Sequence, residues 1–477
     1  MGDGGIGSRA AAEGGTRDCN SVDAIRGFGV IQSACSGADG CPPHAMAPGM
    51  KGLLGPAAIL FSILVIVMLG FGLIFPIMPF YVVHFGASGR ALGLLMAIYS
   101  ILQFLFAPVW GRISDRIGRK PVLLIGVAGF AVSFTLQGLA QNLIQLFLAR
   151  ALAGVLSSAT LPTALAYIAD TTASEDRARG MGLMGAAMGL GMIFGPLVGG
   201  PLTRLSFPMP ALWPTIFQIS VDPTSGEALN LSLPFYASAL CSVITIPLVL
   251  AALPESLPTS SAARSGAPSP SRARLLIAAL SGPMAFLFVM AFLLAFAMAN
   301  LESVLGLFGK DRFEMGPADV GLVMGMIGVL SVIQQGLLIG PLTKRIGEEQ
   351  VLRWGLAVSV AGLVGISLVS LMWQMIAFAA VFNAGNSLLR PSVASLISQR
   401  ARTGQGVAMG LENSFMSLGR AFGPMWAGFA YDFHPSSPFW TAALVQVVAL
   451  LLSFRYLCAA PGEVIAQAGG VPETDQA

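Results

Sequence analysis

The sequence predicts an all-α polytopic membrane protein with twelve transmembrane helices in two pseudo-symmetric six-helix halves. Three observations carry this. Of the 477 residues, 55% are hydrophobic and only 10% are charged, against roughly a quarter charged in soluble domains. Ionisable side chains are costly in lipid and rare there. Apolar runs of about 20 residues, enough to cross a bilayer, recur along the chain. Finally, the chain repeats itself: Gly111–Gly118 (GRISDRIG) aligns with Gly340–Gly347 (GPLTKRIG) 229 residues on, and Pro162 with Pro391 at the same offset. Gly191–Gly200 (GMIFGPLVGG) aligns with Gly419–Gly428 (GRAFGPMWAG) 228 residues on. Parallel halves related by an axis along the membrane normal place a cavity between them, near mid-membrane.

Taken in order, residues 1–52 are Gly-, Ala- and Ser-rich without an apolar run. They lack the h-region of a signal peptide and read as a disordered cytoplasmic tail. Met46 or Met50 is an alternative start. The first bundle, 53–253, holds spans near 57–83, 91–111, 121–140, 143–169, 179–202 and 232–253. Its longest loop outside the membrane, Thr203–Leu231, carries Pro208, Pro210, Trp213 and Pro214 and is expected to be a small ordered excursion. Asn230-Leu231-Ser232 is a formal sequon that abuts the membrane and is discounted. Residues 254–280 form a cytoplasmic linker, beginning PESLPTSSAARSGAPSPSRA. The second bundle, 281–460, holds spans near 281–305, 317–340, 350–372, 374–398, 405–430 and 438–459, and 461–477 reads as a disordered tail.

With both termini inside, inside segments carry 19 of the 26 Lys and Arg residues and outside segments four; Arg150, Arg390 and Arg420 lie within spans. The bias supports this orientation in a cell inner (plasma) membrane. A net charge of +3 is too small to point to nucleic acid. Five cysteines without metal or redox spacing and three scattered histidines leave no metal site to propose. No nucleophile–base pair, no D-x-x-x-D acid cluster and no G-x-x-x-x-G-K-[ST] element is found, so an enzyme and ATP drive are disfavoured.

Between spans two and three, Gly111–Lys120 (GRISDRIGRK) packs four cations and one acid into ten residues. A cationic inside loop alone would fix topology, but would not require Asp115 or glycine at both 111 and 118. GRISDRIGRKPVL resembles the G-x-x-x-D-R-x-G-R-[KR]-x-x-L signature of the major facilitator superfamily. The resemblance, which covers roughly residues 55–458, implies a conformational latch made of Gly111, Asp115, Arg116, Gly118, Arg119 and Asp170. In it the acid faces the N-terminal end of span eleven, where the helix dipole favours negative charge, and the arginine after it meets Asp170 at the inner end of span four. The latch holds the outward-facing state. In the second copy Lys344 replaces the acid, so that copy is expected to have lost the latch.

Gly191, Gly195, Pro196, Gly199 and Gly200 fit G-x-x-x-G-P-x-x-G-G at every fixed position. Small residues at this spacing let helices approach closely. The pattern also resembles the one associated with twelve-span drug:proton antiporters. Arg150 lies about a third of the way into span four. An intramembrane cation is a functional hypothesis by default, against the alternative of snorkelling to the interface, and its position resembles an arginine implicated in proton transfer. Segments around Glu302, Arg390 and LENSFMSLGRAFGP resemble those of Gram-positive quinolone and multidrug exporters, which implies a proton-binding role for Glu302. Ser387 and Val67 depart from acids found in related exporters. Glu412 is either a further proton-coupling group, an interfacial carboxylate or a partner of Arg420. Phe71, Phe75, Tyr99, Phe296, Phe382, Arg390 and Phe415 are candidates for the cavity wall, which would favour amphipathic molecules.

Together these imply proton-coupled efflux of small hydrophobic or amphipathic molecules such as drugs, by alternating access. No cofactor is expected beyond the proton gradient as energy source. The expected partners are the lipid bilayer, protons and the substrate, with a monomeric chain. The alternatives are a same-fold exporter of one dedicated metabolite and, in another class, a membrane-embedded enzyme or receptor.

Overall fold

The computed structural model describes residues 56–172, 177–205, 218–221, 228–256, 284–400 and 405–457, all within one compact unit, Leu54–Ala477. Both expected tails and most of the linker lie outside the described residues. The first half contains α1 (Pro56–Ile74), α2 (Met78–His84), α3 (Gly89–Ile117), α4 (Arg119–Gly138), α5 (Leu143–Ser157), α6 (Thr160–Thr171), α7 (Arg177–Leu202) and α8 (Leu233–Ala252). The second contains α9 (Ala285–Phe313), α10 (Pro317–Ile333), α11 (Ile339–Ile346), α12 (Glu348–Leu368), α13 (Met372–Arg400), α14 (Gln405–Phe433) and α15 (Ser437–Tyr456).

Each of the twelve expected spans coincides with a helix or a joined set of helices. Among the described residues nine are long and apolar enough to cross a membrane, and the α1–α2 pair, bent by 41°, makes a tenth. The bend follows from Pro76, which has no N–H to donate. The other two, α13 and α14, are 29 residues each but interrupted by Asn, Ser, Arg and Glu side chains. A π-helical turn, Gln334–Leu338, joins α10 to α11.

In the long loop, β1 (Ile219–Val221) pairs antiparallel with β2 (Ala228–Asn230); Pro208, Pro210, Trp213 and Pro214, on which the expected excursion rests, lie outside the described residues. Asn230 is buried, and its Oδ1 accepts the N–H groups of Ser232 and Leu233 at 3.2 and 3.1 Å. The sequon asparagine thus caps the start of α8.

The latch segment is not a loop. Helix α3 runs through Gly111 to Ile117, and only Gly118, at φ 106°, turns the chain into α4. That φ is open to glycine and strained for side chains with a Cβ. Gly347 repeats the turn at φ 79° between α11 and α12.

Two glycine seams join the halves, and they match each other across the repeat. A Cβ on Gly93 of α3 would run into the carbonyl of Pro424 and, at 3.1 Å, the Cα of Gly428 on α14. A Cβ on Gly321 of α10 would run into the carbonyl of Pro196 and, at 3.2 Å, the Cα of Gly200 on α7. Helices this close gain dispersion contacts along the whole seam. At the other end, the end of the GRISDRIGRK segment, the same helices stand free: a Cβ on Gly111, Gly182, Gly185, Gly189, Gly336, Gly340 or Gly410 would meet nothing within 4 Å. The bundle is closed at one end and open at the other.

Candidate functional site

The site begins with a cation that has no acid. Arg150 on α5 is 2% exposed. Its guanidinium lies 4.8 Å from the ring centre of Tyr99 on α3 and 5.9 Å from that of Phe71 on α1. Nη2 reaches the Met96 sulfur at 3.6 Å, while Nε and Nη1 have no hydrogen-bond partner among the described residues. Cation–π contact offsets about 0.5–2 kcal/mol, less than the several kcal/mol that desolvating a charge costs. The snorkelling alternative is therefore wrong: the head group points into the bundle. Tyr99, itself buried, shares a hydrogen bond with Ser157 Oγ at 3.2 Å and accepts one from Gln103 at 3.4 Å. Phe71 and Tyr99 pack at 5.4 Å, as do Phe71 and Phe75. Three of the expected wall residues thus form one aromatic patch beside Arg150.

The second half brings its charges to the same level. Glu302 on α9 is half-buried and lies in the field of Arg420 on α14. Arg420 also interacts electrostatically with Tyr99 and with Arg390 on α13. Arg390 and Arg420 sit mid-helix yet are exposed, so they open onto space inside the bundle. Glu412 is 4% exposed and its electrostatic partner is Arg390. The cation in its field is thus Arg390 rather than Arg420, in whose field Glu302 lies. Arg420 is the residue that sequence reasoning left without a role. Its signal was present: a cation three residues before GPMWAG, inside a span.

Three cavity-wall expectations fail. Phe382 is fully buried, its backbone and Cβ packed against Gly362. Phe415 is buried in the core and stacks on Phe288 at 5.7 Å. Phe296 lines an apolar groove of about 510 Å³ with Phe292, Phe422, Met425, Trp426 and Phe429. At 100° per residue those α14 side chains lie on the opposite stripe from Arg420, so the groove faces away from the charged centre. Size and hydrophobicity could not distinguish core from cavity.

At the open end, Arg119 is the hub of the latch residues. Its Nε donates to Asp170 Oδ2 at 2.9 Å, and its Nη1 to Asp115 Oδ1 at 2.5 Å and to Ser114 Oγ at 2.7 Å. The expectation that the arginine after the acid meets Asp170 is corrected: Arg116 is exposed, and Arg119 takes that place. The reason is the turn: Arg119 follows Asp115 by four residues, and the break at Gly118 folds it inward. Glu255, just past α8, accepts the backbone N–H groups of Arg119 and Lys120 at 2.8 and 3.1 Å. It supplies the anion that the α4 N-terminus favours, which the cations of that first turn cannot.

The second copy keeps the tie with its charges exchanged. Glu348 and Glu349 open α12; Glu349 pairs with Arg400 of α13 at 2.7 Å, and Glu348 accepts from Gln399 at 2.9 Å and from Ser395. With the 229-residue offset, Arg119 corresponds to Glu348 and Asp170 to Gln399, one residue before Arg400. Lys344 does replace the acid, but the helix-to-helix tie is not lost.

Gly191, Gly195 and Gly199 of α7 face α1, where added Cβ atoms would strike Met68, Gly72 and Leu73; Gly200 faces Pro317 and Ala318 across the seam. Pro196 contributes its carbonyl to that seam, against Gly321.

Comparison with known proteins agrees with this architecture. A family model described as Major Facilitator Superfamily matches residues 60–405 and 336–473. Multidrug resistance protein 2 of Bacillus subtilis (strain 168) is 29% identical over 400 residues, covering 83% of this chain and 93% of the relative. The class C tetracycline resistance protein of Escherichia coli is 30% identical over 365 residues, covering 75% and 84%. Among solved structures, a bacterial homologue of the human lysosomal transporter Spinster, in an inward-facing and occupied conformation, superposes with TM-score 0.68 at 14% identity, covering 84% and 96%.

Proposed function

The chain belongs to the Major Facilitator Superfamily, and from that membership we propose a proton-coupled exporter of amphipathic small molecules that works by alternating access. The family sets it among multi-pass membrane transporters rather than enzymes. The observation that carries the finer reading is the charged centre itself, with Glu302 facing Arg420 beside the Arg150–Tyr99 patch. A carboxyl within a span is costly when ionised unless it is paired or wetted, so Glu302 is suited to trade its charge for a proton. In the open state described here its anion is offset by Arg420. Proton uptake from the opposite side removes that attraction and resets the centre. The aromatic faces of Phe71, Phe75 and Tyr99 offer an apolar surface for the substrate body.

Charge supports the side and the relatives support the direction. The cationic segments lie at the open end, so an inner-membrane protein with both termini cytoplasmic presents its open end to the cytoplasm. The relatives named for drug resistance support export. The chain is proposed to act as a monomer without a cofactor.

The test is dye efflux from cells of an efflux-deficient host, with and without an uncoupler. Wild-type efflux collapses when the gradient is removed. Glu302→Gln keeps volume and hydrogen bonding but cannot titrate, so it retains dye binding, loses at least tenfold in gradient-driven accumulation (about 1.4 kcal/mol) and shows a flattened pH profile. Pumping against a gradient with wild-type pH dependence would move the proton site to Glu412.

A further inference from the structure

The closed end holds an ion pair outside every motif above. Arg90 stands in the first turn of α3 and Asp432 in the last turn of α14. Arg90 Nε lies 3.1 Å from Asp432 Oδ2, and the backbone N–H of Arg90 donates to the same oxygen at 3.3 Å. The Arg90 guanidinium rests on two rings of α14, 5.1 Å from Phe429 and 5.8 Å from Phe433. Gly89 makes room, since a Cβ there would lie 2.8 Å from Asp432 Oδ1. One turn of α14 thus engages a full charge, a cation–π shelf and the positive end of the α3 dipole. Beside it, Tyr431 donates to Asp311 Oδ2 at 2.8 Å and ties α14 to α9.

The matching α7–α10 seam shares the glycine contacts: Gly93 corresponds to Gly321 and Gly89 to Pro317, so Arg90 corresponds to Ala318. The next residue, Asp319, turns its carboxylate back to accept the N–H of Gly316 at 3.0 Å, capping its own helix.

We infer that Arg90 and Asp432 form the latch of the closed end: they hold α3 against α14 in this conformation and separate when that end opens. The inference rests on the alternating-access reading. It mirrors the device expected at the open end, an acid of one half against a helix terminus of the other, with the acid now on α14. An exposed ion pair alone contributes little. With the backbone hydrogen bond and the aromatic shelf, its loss shifts a balanced two-state equilibrium about two- to tenfold.

The test reads conformation directly. The full chain, with native cysteines replaced, carries spin labels at His84→Cys and Arg312→Cys in lipid nanodiscs. Both positions are exposed, one in each half at the closed end. Asp432→Asn is isosteric and leaves the glycine contacts in place. It is expected to raise the long-distance population about two- to tenfold, and Arg90→Ala to do the same. The exchanged pair Arg90→Asp with Asp432→Arg is expected to stay open, because it removes the acceptor for the backbone N–H and the aromatic shelf and sets a cation against the α3 N-terminus. Unchanged distances in both single variants overturn the latch, and so does an exchanged pair that closes as the wild type does. If the wild-type chain shows no proton-driven efflux while Asp432→Asn still opens, the exporter reading fails and the latch stands. Efflux with unmoved distances does the reverse.

Discussion

The two copies of the GRISDRIGRK segment make the same tie with opposite signs. In the first, a cation at the start of α4 holds an acid at the end of α6; in the second, acids at the start of α12 hold a cation and two polar groups at the end of α13. The second arrangement suits its helix, because acids in a first turn complement the dipole. The first does not, and it is completed by Glu255 on the α4 N-terminus. The fold needs the tie and is indifferent to its sign. What distinguishes the first copy is Asp115, which Arg119 holds in this state and which has no acidic counterpart in the second, where Lys344 stands.

The largest effect should come from cutting the first hub. Arg119→Ala strands two carboxylates and Ser114, at a cost of about 1–3 kcal/mol, read as a lower unfolding temperature in detergent together with lost transport. The exchange Arg119→Glu with Asp170→Arg copies the second half. It should recover most of the stability but not transport, since Asp115 then faces an acid. Recovery of both would reduce the first copy to a tie like the second.

Asp115→Asn comes next. Insertion and unfolding temperature should stay near wild type. Transport should fall several-fold, because a charge against a helix terminus is worth about 0.3–2 kcal/mol when the open end closes. Near wild-type efflux would remove the difference between the copies.

Glu349→Ala should cost about 0.2–1 kcal/mol, because both partners are about one third exposed. Thermal unfolding checks this, and a loss as large as that of Arg119→Ala would make the two ties equivalent. Smallest of all, Arg116→Ala should leave stability within about 0.5 kcal/mol and efflux unchanged. A severe efflux defect would return Arg116 to the latch.

Much of this was legible in the chain. Hydrophobic run length set the spans, because a helix in lipid must satisfy its own backbone over the full thickness. The 229-residue repeat identified corresponding positions, so the matching seams and turns could be looked for by number. The cationic segment, the glycine pattern and the isolated charges Arg150, Glu302 and Glu412 stood out because lipid makes such residues rare. Partners were another matter. That Asp170 binds Arg119 rather than Arg116, and that Glu412 lies in the field of Arg390 and Glu302 in that of Arg420, depends on helix rotation, and one residue of register turns a side chain by 100°. Aromatic residues were illegible for the same reason: Phe71, Phe296 and Phe382 have one composition and face a charged centre, an outer groove and a packed core. The sequence by itself determined where the apolar spans run and where charge is spent. Only the tertiary structure decided which charges meet, because meetings such as Arg119 with Asp170 and Arg90 with Asp432 join residues 51 and 342 positions apart, distances that no local pattern spans.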